Sequence, residues 1–439
     1  MLDLNRRTFL AGALSVAAVS MAGCGSDQAD DTAAPKADAS VPTSGTLDAW
    51  CWDPAFNVYA MKEAGKIYAA KHPDVKMNAI ETPWDDIQTK ITTLAQSQKG
   101  DQLPDIFLVQ NNAFQKNVIN YPDLFADLTD SGLPYDQFGE SVVNYSTVDG
   151  KRYGVPFDNG CAITGLRTDL LGQAGLKIDD FTDITWDDYI AKGKQVKAKT
   201  GKPILSGQSG QPDIVMMMLQ SAGASLFTDD DKVNIVDNEP LTKALEVYKQ
   251  LLTSGVMTEN NSWDQYVGSF VNSNVAGVMN GMWILGSVQT AKAQAGKWAI
   301  TNLPKLDGVE GATNYSANGG SSWAVSAQGN TALAVDFLKE TFAGSKELYE
   351  TILPSSGALA NWTPAAETEV YKKPVAFFND EAIYSKIVEF SKSVPSNRTG
   401  VYYYEARDAL GAAMTKVIKG TDIKTALAEA QKAVEFAMK

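Results

Sequence analysis

A strand-helix-strand-helix-strand alternation at the head of the body constrains this chain more than any other feature. Residues 46–52 read as a strand; Phe56, Ala60, Ala64 and Ile67 then share one helical face, and residues 75–80 read as a second strand. Ile87, Ile91 and Leu94 align on a further helix, and Asp105-Ile106-Phe107-Leu108-Val109 is a short, mostly apolar strand of the kind buried in a parallel sheet. This order implies right-handed crossovers with helices on both faces of the sheet. Ligands in such sheets bind beyond the carboxyl ends of the strands, so the loops after Trp52, Ile80 and Val109 are the first candidates for a site.

What precedes the body reads as an export signal. Asn5-Arg6-Arg7-Thr8-Phe9-Leu10 is a twin-arginine start, residues 11–22 are apolar, and Met21-Ala22-Gly23-Cys24 is a lipobox-like end. The apolar run is shorter than the roughly 20 residues a transmembrane helix needs. Residues 1–23 are therefore expected to be a signal peptide, with Cys24 lipidated after cleavage, leaving a soluble body at the outer face of the cell membrane. Residues 24–45, rich in Gly, Ser, Asp, Ala, Pro and Thr, read as a flexible tether with almost nothing to bury.

Composition narrows the function classes. With 44% hydrophobic and 21% charged residues the body is globular, and its length suits about two or three domains. The formal charge is −14, and removing Asp3, Arg6 and Arg7 with the signal makes it −15. That acidity disfavours nucleic acid and anionic lipid surfaces as partners. The 3 cysteines include Cys24, and the 1 histidine is His72, so a Cys/His zinc site cannot be assembled and a Ser-His-Asp triad would have to use His72. His72 lies in Ala70-Lys71-His72-Pro73-Asp74, which reads as a solvated helix end before a turn. Whether Cys51 and Cys161 pair is left open by the sequence.

A second α/β region is expected after Tyr153-Gly154-Val155-Pro156. It holds a helix at 186–199, a Met-rich stretch at 216–219, an amphipathic helix carrying Leu241, Leu245, Tyr248 and Leu252, and a strand-like run at 276–281 that ends in Gly before Trp283. No repeat at solenoid spacing is present.

Several segments, taken in order, resemble the solute-binding proteins of bacterial ABC importers, in the carbohydrate branch that includes maltose-binding protein. Residues 149–156 (DGKRYGVP) resemble the family's first crossing between lobes, and Thr185-Trp186-Asp187-Asp188-Tyr189 its helix start in the second lobe. Gly277-Val278-Met279-Asn280-Gly281-Met282-Trp283 resembles the stretch whose Trp faces the sugar. Residues 298–304 look like the strand returning to the first lobe, and Asn318-Gly319-Gly320-Ser321 like the turn after it.

The resemblance implies an α/β, two-lobed periplasmic-binding-protein-like fold, each lobe a mostly parallel mixed sheet flanked by helices, with ligand held between the lobes. Lobe 1 is expected at 46–157 plus 298–345, and lobe 2 at 158–297 plus 346–439. It also implies a monomer that uses no cofactor or metal, catalyses nothing, and delivers an oligosaccharide to the importer's transmembrane subunits.

Sugar recognition needs flat apolar surfaces for pyranose faces and convergent amides or carboxylates for hydroxyls. Trp52 and Asp53 match the family's first ligand loop, Trp52 reading otherwise as packing; Trp50 is expected in the core. Asn111 and Asn112 match polar contact positions, or form an Asx turn or helix cap. Asp158 and Asn159 follow the crossing near the family's carboxylate, Asp158 reading otherwise as a hinge residue bonded to backbone. Trp283 matches a stacking residue. Tyr403 falls where the family carries a late aromatic, or divides with its neighbours between core and surface, and Gln208 belongs to a polar second-lobe loop.

Three functions follow. The first is a receptor for a neutral oligosaccharide; the second is the same scaffold binding a peptide, polyol or other small solute. The third, a membrane-anchored glycoside hydrolase, would need two carboxylates flanking one bond, roughly 5 to 10 Å apart, and no motif here asks for it. Aromatic, amide and acidic candidates favour the neutral polyhydroxylated ligand over an anion.

Overall fold

The computed structural model describes residues 41–439 apart from 55, 159, 229, 396 and 397. The expected signal, Cys24 and most of the tether lie outside the described residues, as does Asn159. Strand β1 (Gly45–Cys51) alternates as a one-sided strand must: Leu47, Ala49 and Cys51 are buried and the residues between them are not. It pairs in parallel with β2 (Val75–Glu81) and with β3 (Ile106–Gln110), whose Ile106, Phe107, Leu108 and Val109 are all buried. Helices α1 (Asn57–Ala69), α2 (Trp84–Gln96) and α3 (Asn111–Asn120) follow the three strands in turn. Strand β4 (Gly154–Asp158) completes the sheet at its far side.

Beyond β4 the chain builds a second sheet. Strand β5 (Ala162–Arg167) leads through helix α4 (Trp186–Thr200), whose start is capped by Thr185 Oγ1 accepting from the Asp188 N–H at 3.2 Å. Strand β6 (Leu205–Gln208), helix α5 (Asp213–Ser221), helix α6 (Glu239–Thr253) and strand β7 (Met257–Asn260) come next, with β6 and β7 parallel. The Met-rich stretch is α5, and Met216, Met217, Met218 and Leu219 pack with Leu241, Leu245 and Tyr248 of α6 in one buried cluster. Helix α7 (Trp263–Val271) leads to β8 (Gly277–Gly281), which pairs antiparallel with β5.

Here the observed pairing departs from expectation. Strand β9 (Trp298–Thr301) does not return to the first sheet but pairs antiparallel with β5, Trp298 opposite Arg167. All four of its residues are buried, and Trp298 Nε1 donates to Gln294 Oε1 at 2.8 Å, so the strand is anchored locally. The return is made by β10 (Ser321–Val325), which inserts antiparallel between β3 and β4. The first sheet thus runs β2-β1-β3-β10-β4, and the second β8-β5-β9.

The segment expected to open the second lobe also differs. After α8 (Thr331–Glu340), helix α9 (Lys346–Ser356) packs on α1, placing Leu348, Tyr349, Ile352 and Leu353 in the same buried cluster as Val58, Met61 and Ala64. Only after Ala360, bridged to Asp158, does the chain reach the second sheet, where Lys386 Nζ donates to the Ile300 carbonyl at 2.7 Å. Helix α10 (Tyr403–Ile418) and the helix Ile423–Ala437 then pack against α6.

Three segments therefore cross between the sheets side by side. Cys161 is bridged to Ala317, the Asn318 N–H donates to the Gly160 carbonyl at 2.7 Å, and Asn361 Nδ2 donates to the Asp158 carbonyl at 2.8 Å. Cys51 and Cys161 form no disulfide with each other, and burial pushes both thiols up, Cys161 to about 12.

Candidate ligand-binding site

The carboxyl ends of β1, β3 and β4 and the start of the antiparallel β10 meet along one edge of the first sheet. After β1, the N–H groups of Trp52 and Asp53 both donate to Asn57 Oδ1 at 2.9 Å, while Asp53 Oδ1 accepts from the Phe56 N–H at 3.0 Å. Trp52 is half-buried between two apolar clusters, and Asp53 is exposed at the turn into α1. Trp50 is half-buried at the rim of the core, packed against the cluster of Ile87, Phe107 and Val109, with Lys90 Nζ 4.9 Å from its ring centre.

After β3, Asn111 is buried and faces β10. Its N–H donates to the Gly320 carbonyl at 3.1 Å, and its Oδ1 accepts from Ser322 Oγ at 2.8 Å. Gly320 has φ +89°, and a Cβ there would meet Asn111 Nδ2 at 2.9 Å, so the Gly-Gly turn is what lets β10 come this close. Asn112, half-buried, points the other way and donates from Nδ2 to Tyr403 Oη at 3.1 Å.

At the end of β4, Asp158 is 3% exposed and accepts a short hydrogen bond from Ser321 Oγ. Burial pushes its carboxyl up to about 6, against the opposing pull of the Ser321 hydroxyl and N–H. It stands where all three crossing segments meet.

A second group assembles at the ends of β6 and β8. Gln208, Asp213, Trp263, Tyr266 and Asn280 border a narrow pocket. Asn280 donates from Nδ2 to Tyr266 Oη at 3.2 Å and accepts at Oδ1 from Asn318 Nδ2 at 2.8 Å. The indole N–H of Trp283 donates to the Asn318 carbonyl at 2.9 Å, fixing a ring that lies 5.9 Å from that of Trp263 at 37°. Trp263 is 43% exposed, an unusual state for so large an apolar side chain beside polar groups. Arg407 donates from Nη2 to Asp213 Oδ1 at 2.8 Å, so the guanidinium at this wall is neutralised.

The structure thus links Trp283, through Asn318, Gly319 and Gly320, to Asn111 and Asp158 on the opposite sheet. It brings Gln208 to Asn280, and Asn112 to Tyr403. Tyr403 itself is buried, and burial pushes its hydroxyl well up. Trp52 joins the rest through the apolar cluster of Ile87, Phe107 and Val109, which Tyr404 also borders. Trp263, Asn280, Asn318 and the Asp213–Arg407 pair were not singled out from the sequence, although Asn280 and Asn318 lie inside the motifs quoted.

The family described as bacterial extracellular solute-binding protein matches this chain over residues 63–379. The chain belongs to that family. It is 38% identical over 387 residues to the lactose-binding protein of Rhizobium radiobacter, covering 88% of this chain and 91% of that one. It is 25% identical to the arabinooligosaccharide-binding protein of Bacillus subtilis (strain 168), covering 77% and 78%. Among solved structures, the galacto-N-biose/lacto-N-biose I-binding protein of a Bifidobacterium longum ABC transporter, in complex with lacto-N-biose, superposes with a TM-score of 0.74 at 19% identity. That match covers 91% of this chain and 98% of the other, and establishes the two-lobed α/β fold. Members of this family bind solutes rather than transform them, and they work in the extracellular or periplasmic space. No helix among the described residues is long and apolar enough to cross a membrane.

Proposed function

We propose that this solute-binding protein captures a neutral oligosaccharide between its two lobes and delivers it to an ABC importer. One observation carries the reading: an exposed indole, Trp263, with the tethered indole of Trp283 beside it, stands at a pocket whose polar groups are amides, hydroxyls and one carboxylate, Asp213, already paired with Arg407. Flat apolar faces beside uncharged hydrogen-bonding groups suit a pyranose, which has C–H faces and a hydroxyl rim. The relatives support it, since they are described as binding lactose and arabinooligosaccharides. Another, from Streptomyces coelicolor, is described as binding diacetylchitobiose.

In this reading Trp52, Asp53, Asn112, Gln208, Trp263 and Trp283 face ligand, whereas Asn111, Asp158 and Tyr403 hold the walls. Lobe 1 then gathers around the first sheet and includes 321–356, and lobe 2 takes 162–317 and 363–439. Calorimetric titration with lactose, arabinobiose and diacetylchitobiose, alongside dipeptides and polyamines, tests the ligand class. Heat is expected from a saccharide and not from the others; no heat from any saccharide removes the reading.

Anchoring belongs to the same proposal. Cys24 is read as the lipidated residue of the mature chain, which holds the body at the outer membrane face as a monomer. In cells fed a labelled fatty acid, wild type should carry the label and Cys24→Ala should not. Equal labelling of the two would refute the anchor and leave the ligand reading untouched.

A further inference from the structure

At one place the two lobes touch, and the contact is chemically incomplete. Trp84 and Gln88 stand about one turn apart on α2, Lys116 and Asn117 lie on α3, and Tyr404 and Glu405 open α10. The Trp84 and Tyr404 rings are 5.9 Å apart, Asn117 Nδ2 donates to Gln88 Oε1 at 3.3 Å, and Lys116 Nζ donates to Glu405 Oε1 at 2.5 Å. Yet Trp84 Nε1, Gln88 Nε2 and Glu405 Oε2 are each closed off from solvent with no hydrogen-bond partner among the described residues. Buried polar atoms are nearly always paired, because water was given up to bury them. Three orphans on two elements that meet at one seam ask for a common partner. The seam lies about one helical turn from Arg407, whose partner Asp213 lines the pocket of Trp263 and Asn280.

We propose that this seam is a second saccharide subsite, in which Trp84, Gln88 and Glu405 bind hydroxyls of the sugar unit beyond the one at Trp263 and Trp283. The proposal rests on the saccharide reading above and names the residues that would hold the second unit. Two N–H donors and one carboxylate acceptor suit a pair of adjacent hydroxyls, each of which both donates and accepts. An anionic ligand would meet the Glu405 carboxylate, whose compensating charge, Lys116, is already engaged. A slight parting of the lobes admits the sugar, and closure over it supplies the bonds that the empty seam lacks.

Calorimetry on Trp84→Phe and Glu405→Gln with lactose, arabinobiose and diacetylchitobiose tests this. The first change removes the orphan N–H together with one of the two fused rings and keeps an aromatic face toward Tyr404, and the second keeps an oxygen for Lys116. Each is expected to weaken whichever saccharide wild type binds by at least about tenfold, because a polar site left unpaired discriminates strongly. The melting temperature of the empty protein should stay within a few degrees, since no hydrogen bond of the empty protein is lost and the Lys116–Glu405 pair, about a third in water on each side, is worth little. Unchanged affinity in either variant overturns the subsite, and so does a loss of affinity that comes with a matching loss of empty-protein stability in both. If wild type gives no heat with any of the three saccharides, the saccharide reading itself fails and takes the subsite with it, a result that no variant can produce.

Discussion

Asp158 shows how one side chain couples the crossing segments to pH. Its carboxyl is lifted from an ordinary value of 3.8 to about 6 because it is buried, with the Ser321 hydroxyl offsetting only part of the penalty. A raised carboxyl means that the folded chain holds the proton more tightly than the unfolded chain. Between about pH 4 and pH 6 the folded state therefore binds more protons, and this group's contribution to stability falls as pH rises through that window. At about 1.4 kcal/mol per pH unit the penalty above pH 6 is roughly 3 kcal/mol. Asp158→Asn keeps an oxygen for Ser321 and removes the titration. Urea unfolding across this window should show the variant gaining on wild type as pH rises, with the gain complete near neutrality. Two stability curves that stay parallel would show that the carboxyl does not titrate here.

The sequence placed Asp158 between two roles, hydroxyl acceptor and hinge, and it could not choose because both demand the same residue type just after the crossing. The choice needs the neighbours, Ser321 and Asn361, which lie 163 and 203 positions away. Trp263 escaped notice for a different reason. It follows Ser262, whose Oγ accepts from the Gln265 N–H at 3.3 Å, and so reads as an ordinary first residue of a capped helix. Only the exposure of its ring marks it.

At the scale of elements, local patterning was a good guide to what forms and a poor one to what meets. The first three strands and their helices follow from alternation and from a 3.6-residue period. Thr185 capping α4 follows from hydroxyl chemistry at a helix start. Partner choice does not follow. An apolar run such as Trp298-Ala299-Ile300-Thr301 is buried on both faces wherever it goes, so its composition says nothing about which sheet receives it. The stripe Leu348, Ile352 and Leu353 likewise states that α9 buries a face, while the surface it meets, α1, is nearly three hundred residues earlier. Trp50 sits at the rim of a buried cluster rather than inside it, since period-2 alternation assigns a face but cannot foresee a lysine lying across it.

For the whole molecule, binding and closure are one equilibrium. A ligand draws the lobes together only by as much as it prefers the closed state, and moving from about 1:99 to 99:1 takes roughly 10⁴-fold of preference. The contacts that join the lobes without ligand cannot supply that. Asn112 to Tyr403 and Tyr404 to Gln110 are single hydrogen bonds, and Lys116–Glu405 is an ion pair with about a third of each side chain in water, worth about 0 to 1 kcal/mol. The larger share must come from groups that gain a partner only when sugar is present, and Trp283, tied to Asn318 beside the crossing segments, is placed to transmit it. Small-angle scattering should therefore show wild type becoming more compact with the saccharide that calorimetry identifies. Trp283→Ala should keep the open profile at the same concentration, with the melting temperature of the empty protein within a few degrees of wild type. Wild-type curves that superimpose with and without a bound saccharide would mean that the lobes do not close, and a variant that compacts normally would mean that the indole is a packing residue through which no binding energy passes.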